Sequence, residues 1–201
     1  MCPDEKTRRI VIKIMMVAYL MVPLLVGCDD GTSVVYDLDG HGVASVPSGE
    51  VAVTVFLFTR TDCPISNRYA PTVARIHEEF AERGVDFYLV YVDPDDDAVS
   101  IRRHVDEYSY PCDVLRDPYH ALVRLTGACI TPEAAVMTAD GDLVYCGRID
   151  NWYEAFGKAR PAPTEHNLID VLEATLAGNA VETKRVKAVG CFIADLTPRG
   201  R

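Results

Sequence analysis

Two apolar runs separated by an amphipathic stretch give the clearest structural pattern in this chain. Residues Val51–Thr59 and Val85–Val92 are almost continuously apolar, which is typical of parallel strands covered on both faces. The segment between them, Pro64–Arg83, has apolar residues at intervals of three or four, the spacing of one helix face. These positions are Ile65, Tyr69, Val73, Ile76 and Phe80. The pattern therefore predicts a strand, a helix that ends at Gly84, and a second strand.

The same criteria predict the remaining elements. They are a hairpin of Val34–Leu38 and Val43–Val46, a helix over Asp95–Tyr108, a short strand at Val114–Leu115, a helix over Tyr119–Leu125, a second hairpin of Glu133–Thr138 and Leu143–Ile149, and a helix over Asn167–Ala177. This order predicts an α/β sandwich with a central mixed sheet and an N-terminal β-hairpin. The length suits one domain, and we interpret residues 181–201 as a C-terminal tail with an apolar segment at Val189–Ile193.

The N-terminus combines basic residues with a short apolar run. The run Ile14–Val26 is too short to cross a bilayer comfortably and suits the core of a signal peptide. The following Leu25-Val26-Gly27-Cys28 resembles the lipobox of bacterial lipoproteins, whose cysteine becomes the lipidated first residue. We therefore interpret residues 1–27 as a lipoprotein signal peptide, 28–33 as a tether and 34–180 as the folded domain, with Cys28 as the membrane anchor. An ordinary signal peptide and an uncleaved anchor are the alternatives.

Net charge and cysteine number limit the partners that this chain can have. The formal net charge is −10, and it becomes about −12 without residues 1–27. Such an acidic chain argues against nucleic acid as a partner and against electrostatic binding to anionic lipid. The five cysteines after Cys28 are an odd number without zinc-site spacing. We therefore expect no metal or other cofactor, and at least one free or reactive thiol.

Cys63 lies at the junction between the first buried strand and the helix. Pro64 fits the first helical position, where its missing N–H costs no hydrogen bond, so Cys63 falls at or next to the N-cap. Unsatisfied amides and the positive end of the helix dipole lower the pKa of a thiol at this position and favour the nucleophilic thiolate. We predict that Cys63 is a reactive nucleophile; the alternative is a buried, inert thiol.

Two motifs together resemble the thioredoxin superfamily. The first is Thr61-Asp62-Cys63-Pro64-Ile65-Ser66-Asn67, and the second is Gly127–Glu133, which contains Thr131-Pro132. Over about residues 34–178 the chain resembles the redoxin branch, with its AhpC/TSA-like and TlpA-like proteins and the bacterial peroxiredoxin-like redoxins. The resemblance implies a thioredoxin-like α/β/α sandwich, a cis-proline at Pro132, and a helix-kinking proline at Pro71. For Pro132 the alternative is an ordinary trans proline.

The resemblance also implies roles for the residues around the sulfur. Cys63 is the nucleophile, and Thr131 and Pro132 present backbone beside which an extended thiol substrate can pair. The residues that line the site are Thr61, Asp62, Pro64, Ser66 and Asn67.

Resolution of an oxidised Cys63 needs a thiol from outside the local motif. Ser66 occupies the position of the second cysteine in a C-x-x-C motif, so the site cannot close a short disulfide. A distant cysteine or an external thiol must act instead. Cys191 in the tail is the first candidate for this role, and Cys129 is the second.

The sequence departs from other members of the superfamily at several positions. Peroxiredoxins have Thr or Ser three residues before the nucleophile, and Arg60 stands there. The arginines that are candidates for polarising a peroxide are Arg60, Arg68 and Arg148. Sco-type copper chaperones need C-x-x-x-C and a histidine, but Asn67 replaces the second cysteine. The four aspartates within residues 93–97 lack the spacing of a calcium loop and are interpreted as the start of a helix.

Three functions are compatible with these features. The first is an extracytoplasmic, membrane-anchored thiol–disulfide redox protein whose partner is a thiol or disulfide protein or a small thiol reductant. The second is a peroxiredoxin-like thiol peroxidase that reduces hydroperoxides with the same cysteine. The third is a non-catalytic thioredoxin-fold module for binding or assembly. The C-x-x-S sequence partly favours the first, Arg60 weighs against the second, and a reactive Cys63 weighs against the third, whereas the fold alone does not decide.

Overall fold

A computed structural model describes residues 35–43, 51–182, 184–194 and 196. The predicted signal peptide, the tether and Cys28 lie outside these residues. The strands are β1 (Val35–Tyr36), β2 (Gly42–Val43), β3 (Val53–Thr59), β4 (Val85–Tyr91), β5 (Asp113–Arg116), β6 (Ile130–Thr131), β7 (Glu133–Thr138), β8 (Leu143–Gly147), β9 (Tyr153–Ala155), β10 (Lys158–Ala159), β11 (Arg185–Val186) and β12 (Cys191–Phe192). The α-helices are α1 (Pro64–Phe80), α2 (Ala98–Tyr108), α3 (Ala121–Thr126) and α4 (Asn167–Leu176). None of these helices is both long and apolar enough to cross a membrane.

The main sheet is mixed and has eight strands in the order β11-β8-β7-β3-β4-β5-β1-β2. Strands β3, β4 and β5 are parallel, whereas β7 pairs antiparallel with β3 on its other side. All seven residues of β3 are buried, as expected for a strand with a neighbour on each side and a layer on each face. The prediction of a mixed central sheet is therefore confirmed. Strand β3 lies in the middle of this sheet and leads into the loop that carries Cys63.

Helix α1 follows β3 and carries the predicted apolar face. The five predicted positions are all buried, and they are joined by Ser66 and Ala70. Pro71 lies within the helix. A short 3₁₀ helix over Ala81–Arg83 continues the chain to Gly84, so the predicted end of the helix is confirmed.

Alternate residues of β3 point into two separate cores, one on each face of the sheet. Val53, Val55 and Leu57 belong to the larger core, together with the buried faces of α1 and α4. Phe56 and Phe58 belong to the smaller core on the opposite face, where Leu122 of α3 packs. The arrangement is three layers, α/β/α, as predicted. Cys63 belongs to the larger core.

The N-terminal hairpin is confirmed where the structure describes it. Strands β1 and β2 pair antiparallel, with Val35 opposite Val43, and β1 pairs with β5. The predicted strand residues Val34 and 44–46 lie outside the described residues. Helix α2 begins at Ala98, three residues later than predicted, because Asp97 is its N-cap and accepts a hydrogen bond from the amide of Ser100 at 2.7 Å.

Two features of the C-terminal half were not predicted. One is the two-stranded unit of β9 and β10. The other is the pairing of the segment interpreted as a tail, in which β11 pairs parallel with β8 and β12 pairs antiparallel with β6. Residues beyond 180 therefore contribute strands to two sheets, and the second of these pairings brings the segment to the Cys63 loop.

Candidate active site

Cys63 is the N-cap of α1, as predicted. Its backbone is extended, Pro64 is the first helical residue, and the Cys63 sulfur accepts a hydrogen bond from the amide of Ser66 at 3.5 Å. The Cys63 carbonyl accepts from the amide of Asn67 at 3.1 Å. Two of the amides at the start of the helix are thus directed at this one residue, which is the usual arrangement of an N-cap.

The Thr131–Pro132 peptide bond is cis, as the resemblance implied. The Cys63 thiol donates a hydrogen bond to the Thr131 carbonyl, with 3.1 Å between Sγ and O. The two motifs, 68 residues apart in sequence, therefore meet at the sulfur.

The Cys191 thiol lies against the Cys63 sulfur. Strand β12 pairs with β6 in a register that sets Cys191 opposite Thr131. The amide of Ile193 donates to the Cys129 carbonyl at 3.0 Å, and the Thr131 hydroxyl donates to the Cys191 carbonyl at 3.4 Å. Both thiols are free in the structure, and a side-chain hydrogen bond connects them.

Opposing effects set the pKa of Cys63. Burial raises it, but the Ser66 and Thr131 side chains, the Ser66 amide and the Cys191 thiol lower it, and the net shift is downward. The Ser66 hydroxyl is buried and has no partner in the resting geometry, so a thiolate at Cys63 is the group to which it can donate. The site is built to hold a negative charge on Cys63.

Cys191 shows the opposite behaviour. Burial, its hydrogen bond to Cys63 and the charge on Cys63 raise the pKa of Cys191 to about 12, although Arg60 acts in the other direction. The pKa of Cys63 is therefore below that of Cys191, so a single proton shared by the pair favours Cys191.

The remaining site-lining residues hold the Cys63 loop in place. The Thr61 hydroxyl donates to the Asp96 carboxylate at 2.5 Å, and Asp62 forms an exposed ion pair with Arg60. The side-chain amide of Asn67 donates to the Thr61 carbonyl at 3.3 Å. These contacts connect the loop before the helix to the helix itself.

Behind the loop lies a group of buried and half-buried polar side chains that sequence analysis missed. The Asn67 side chain contacts the Tyr108 hydroxyl at 3.2 Å and the His104 ring at 2.8 Å. The His104 ring in turn hydrogen-bonds the Tyr91 hydroxyl at 2.7 Å, and the Tyr110 hydroxyl donates to the Ser66 carbonyl at 3.1 Å. The only signal in the sequence was the enrichment of tyrosine and histidine near the end of α2, and that pattern has no fixed spacing.

The structure does not bring Cys129 to Cys63 in the way it brings Cys191. Cys129 is exposed, and its amide donates to the Glu133 carboxylate at 2.7 Å. Burial and the charge of Glu133 raise the pKa of Cys129, while Arg185 acts in the other direction. The second candidate for the resolving thiol thus has a different set of neighbours.

The three arginines considered for peroxide binding all have other partners. Arg60 forms ion pairs with Asp62 at 3.0 Å and Asp93 at 2.8 Å. Arg68 donates to the Tyr153 hydroxyl at 3.2 Å, and Arg148 binds Asn167 and Glu165. Each of the three arginines therefore has a structural contact within the protein.

One group of potential metal ligands occurs in the described residues. Asp37, Asp39 and His41 of the N-terminal hairpin place their ligand atoms within 4.8 Å of one another, although their spacing gave no sign of this. Asp37 accepts hydrogen bonds from His41, and Asp39 pairs with Arg102. These partners already account for the carboxylates, and the group lies on the exposed hairpin, away from the Cys63 loop.

A cysteine at the start of a helix, beside a cis-proline in a three-layer sandwich, defines a thioredoxin-fold redoxin. Residues 38–146 match the AhpC/TSA family. The match covers more than half of the chain, which therefore belongs to that family. No curated protein matches the sequence.

Solved structures share this fold at low sequence identity. A conserved uncharacterized protein from Geobacillus kaustophilus superposes with a TM-score of 0.67 at 21% identity, covering 82% of this chain and 89% of that one. A thioredoxin-like protein from Aeropyrum pernix gives 0.52 at 14% identity, covering 87% and 99%. A protein from Chlorobium tepidum described as a thiol:disulfide interchange protein DsbE gives 0.52 at 17% identity, covering 67% and 87%. Such likenesses establish the thioredoxin-like fold.

Proposed function

We propose that this protein is a thiol–disulfide redox protein in which Cys63 is the nucleophile and Cys191 is the resolving thiol. The observation that carries the proposal is the contact between two free thiols of opposite character. The pKa of Cys63 is lowered and that of Cys191 is raised to about 12, while a hydrogen bond joins them beside the cis-proline. The partners are a thiol or disulfide protein or a small thiol reductant.

The first step is attack of the Cys63 thiolate on a disulfide of the partner. A bond forms between the Cys63 sulfur and one sulfur of the partner, the partner's S–S bond breaks, and the other sulfur leaves with the electron pair as a thiolate. The hydrogen-bond donors around Cys63 lower its pKa and so favour the thiolate that makes the attack.

The second step is attack of Cys191 on the mixed disulfide. Once Cys63 is bonded to the partner it carries no charge, so the interactions with Cys63 that raise the pKa of Cys191 disappear. Cys191 then passes its proton to the departing thiolate or to water and attacks the Cys63 sulfur. The Cys63–Cys191 disulfide forms and the partner leaves as a thiol. Two electrons have moved to the partner, and an external dithiol or two small thiols return them.

Peroxide reduction is the second candidate function. It is supported by membership of the AhpC/TSA family and by the thiolate, which would attack one peroxide oxygen to give a sulfenic acid and an alcohol after protonation. Arg60, Arg68 and Arg148 all have other partners, and Arg60 replaces the usual hydroxyl. We therefore rank this reaction below disulfide exchange. The non-catalytic module is the third reading, and the paired thiols argue against it.

We further propose that the protein works outside the cytoplasm, held to a membrane by a lipid on Cys28. Support comes from the apolar run and the Leu-Val-Gly-Cys sequence before the folded domain. Wild-type protein should fractionate with membranes and carry lipid mass, whereas Cys28→Ala should do neither. A wild-type protein without lipid mass would contradict the anchor, and it would leave the redox proposal unaffected.

Capture of the mixed disulfide tests the redox proposal. Cys191→Ser removes the resolving thiol, so covalent adducts between Cys63 and a disulfide substrate should accumulate. In the wild type, mild oxidation should give a Cys63–Cys191 disulfide in peptide maps. Cys129→Ser is the matched control because its thiol is exposed and lies among other neighbours, and it should resolve adducts at the wild-type rate. Adducts that resolve normally in Cys191→Ser would contradict the role of Cys191, and adducts that persist in Cys63→Ser would contradict the role of Cys63.

A further inference from the structure

The C-terminal segment, residues 188–193, lies beside the reactive sulfur, which is shielded from solvent. Cys63 has 0% of its surface exposed. Ala188 is buried, Cys191 lies on the Cys63 sulfur, and the segment between them runs along the cis-proline loop. A polypeptide disulfide that reacts with Cys63 must therefore occupy space that residues 188–193 fill in the resting structure.

The segment is held at the site by backbone pairing and by the side chains of Val189, Cys191 and Ile193, which pack on the two cores. Strand β12 pairs with β6, and the Ile193 amide donates to the Cys129 carbonyl at 3.0 Å. The Phe192 side chain is 78% exposed and contributes little packing. Any extended polypeptide can form the same backbone hydrogen bonds with β6, because strand addition depends on main-chain groups.

We propose that residues 188–193 occupy the place of a partner polypeptide and that the partner binds by displacing them as an extended strand on β6. The inference rests on the proposed disulfide exchange and on the pairing surface that the resemblance implied at Thr131, and it adds that the chain's own C-terminal segment covers this surface at rest. The partner presents its cysteine where Cys191 lies, and Cys191 returns to Cys63 after the mixed disulfide has formed. Small disulfides and polypeptides alike reach Cys63 only after the segment has moved.

Gly190 defines a further requirement on the partner. A Cβ atom at this position would lie 2.0 Å from the Thr131 carbonyl oxygen and 2.7 Å from its carbonyl carbon. Both atoms belong to the Thr131 carbonyl group in the backbone of β6, and this carbonyl accepts the hydrogen bond from the Cys63 thiol. It therefore cannot move aside without disturbing the site. The residue before the partner's cysteine is therefore glycine. The residue after it is unrestricted, because Phe192 points to solvent.

Accessibility of Cys63 tests the displacement. Iodoacetamide labelling, followed residue by residue by mass mapping, should be slow at Cys63 in the wild type. Gly190→Ala clashes with β6, and Ile193→Ala removes a side chain that packs on the smaller core, so each should raise the labelling rate of Cys63 by about tenfold or more through local opening. Phe192→Ala is the matched control in the same strand and should leave the rate unchanged.

The labelling outcome does not depend on redox activity. If Gly190→Ala fails to fold by circular dichroism, Ile193→Ala provides the same test without a backbone clash. A Cys63 labelling rate that stays at the wild-type value in Ile193→Ala would overturn the displacement, as would rapid labelling of Cys63 in the wild type.

Peptide selectivity tests the class of partner. In Cys191→Ser, the Cys63 thiolate attacks the sulfur of a peptide whose cysteine carries an aromatic thiol in a disulfide. The Cys63–peptide bond forms and the coloured aromatic thiolate leaves with the electron pair. A peptide with Gly-Cys-Phe should react about tenfold faster than one with Ala-Cys-Phe, and the rate with Gly-Cys-Ala should match that with Gly-Cys-Phe.

The two proposals fail in different ways. Equal rates for the glycine and alanine peptides would overturn the glycine requirement while leaving disulfide exchange intact. Increased labelling of Cys63 in Ile193→Ala together with no reaction with any peptide would support the moving segment and contradict the proposed function.

Discussion

Cys63 and Cys146 are equally buried, yet their surroundings drive their thiols in opposite directions. Their exposed fractions are 0% and 1%. Burial raises the pKa of Cys146 to about 12, and the charge of Glu133 adds to it against the weaker effect of Arg185. Burial also raises the pKa of Cys63, but the donors of Ser66, Thr131 and Cys191 reverse the shift. Burial therefore does not decide whether a cysteine is inert; the number of hydrogen-bond donors aimed at its sulfur does.

The largest difference between the two thiols should appear in activity. Cys63→Ser should reduce disulfide exchange to the uncatalysed background, because the nucleophile is gone. Cys146→Ala should retain wild-type activity and lose about 1–2 kcal/mol of unfolding free energy, since it leaves a small cavity in the smaller core. Turnover of a model disulfide and urea denaturation measure these effects. Disulfide-exchange activity that survives in Cys63→Ser would show that Cys63 is not the nucleophile.

Removing one hydrogen-bond donor should raise the pKa of Cys63 part of the way towards that of Cys146. In Ser66→Ala the hydroxyl that can donate to the thiolate is lost, and the pKa of Cys63 should rise by about one unit. Thr59→Val is the matched control, because the Thr59 hydroxyl is buried, has no partner and lies outside the site. Ultraviolet absorbance of the thiolate, followed against pH, gives both values. An unchanged pKa in Ser66→Ala would assign the effect to the other donors.

The two thiols should also make the unfolding free energy change with pH in opposite directions. The folded pKa of Cys146 is raised, so its contribution is complete below the unfolded value of about 8.5 and is lost as the pH rises towards its folded pKa. The folded pKa of Cys63 is lowered, so its contribution is present above the unfolded value and is lost as the pH falls through the folded pKa. Unfolding free energies measured between about pH 7 and 10 should therefore fall less steeply in Cys146→Ala. In Cys63→Ser they should lack the rise that accompanies deprotonation of the native thiol.

The smallest effect should come from the buried polar group behind the site. Burial lowers the pKa of His104, although Asp96 and Glu107 act in the other direction. A lowered folded pKa means that stability is present above the unfolded value of about 6.5 and is lost as the pH falls. Between about pH 7 and 5 the unfolding free energy of His104→Gln should therefore decline less than that of the wild type. If the unfolding free energies of the wild type and His104→Gln change in parallel with pH, His104 has the same pKa in the folded and the unfolded protein.

The part of the fold that sequence analysis predicted is the part with long, regular patterns. Strand β3, helix α1 and strand β4 were identified because each has enough residues to show a period. The two-residue strands β6, β11 and β12 were not, since they form only where tertiary pairing aligns them. No local pattern marks such strands.

The site shows the same division. The N-cap position of Cys63 and the cis bond before Pro132 followed from motifs, whereas the contact with Cys191 depends on how the last residues return to β6. Cys191 was a candidate for the resolving thiol because it lies in the tail after the predicted helices. The role of Gly190, which permits the close approach of the chain to Thr131, was not predicted. Contacts between distant backbones leave no trace in periodicity.

Strand β11 affects whether copies of this protein can pair through the edge of the main sheet. Its backbone covers the outer edge of β8: the Lys184 and Val186 carbonyls accept from the amides of Cys146 and Arg148, and Gly147 lets Val186 approach to within 2.3 Å of where a Cβ would lie. An uncovered edge invites another chain to pair with it, which is a common start of aggregation. Because β11 precedes residues 188–193, those residues can move while the edge of β8 stays capped. The protein can therefore expose its reactive sulfur and strand β6 while the edge of β8 stays covered.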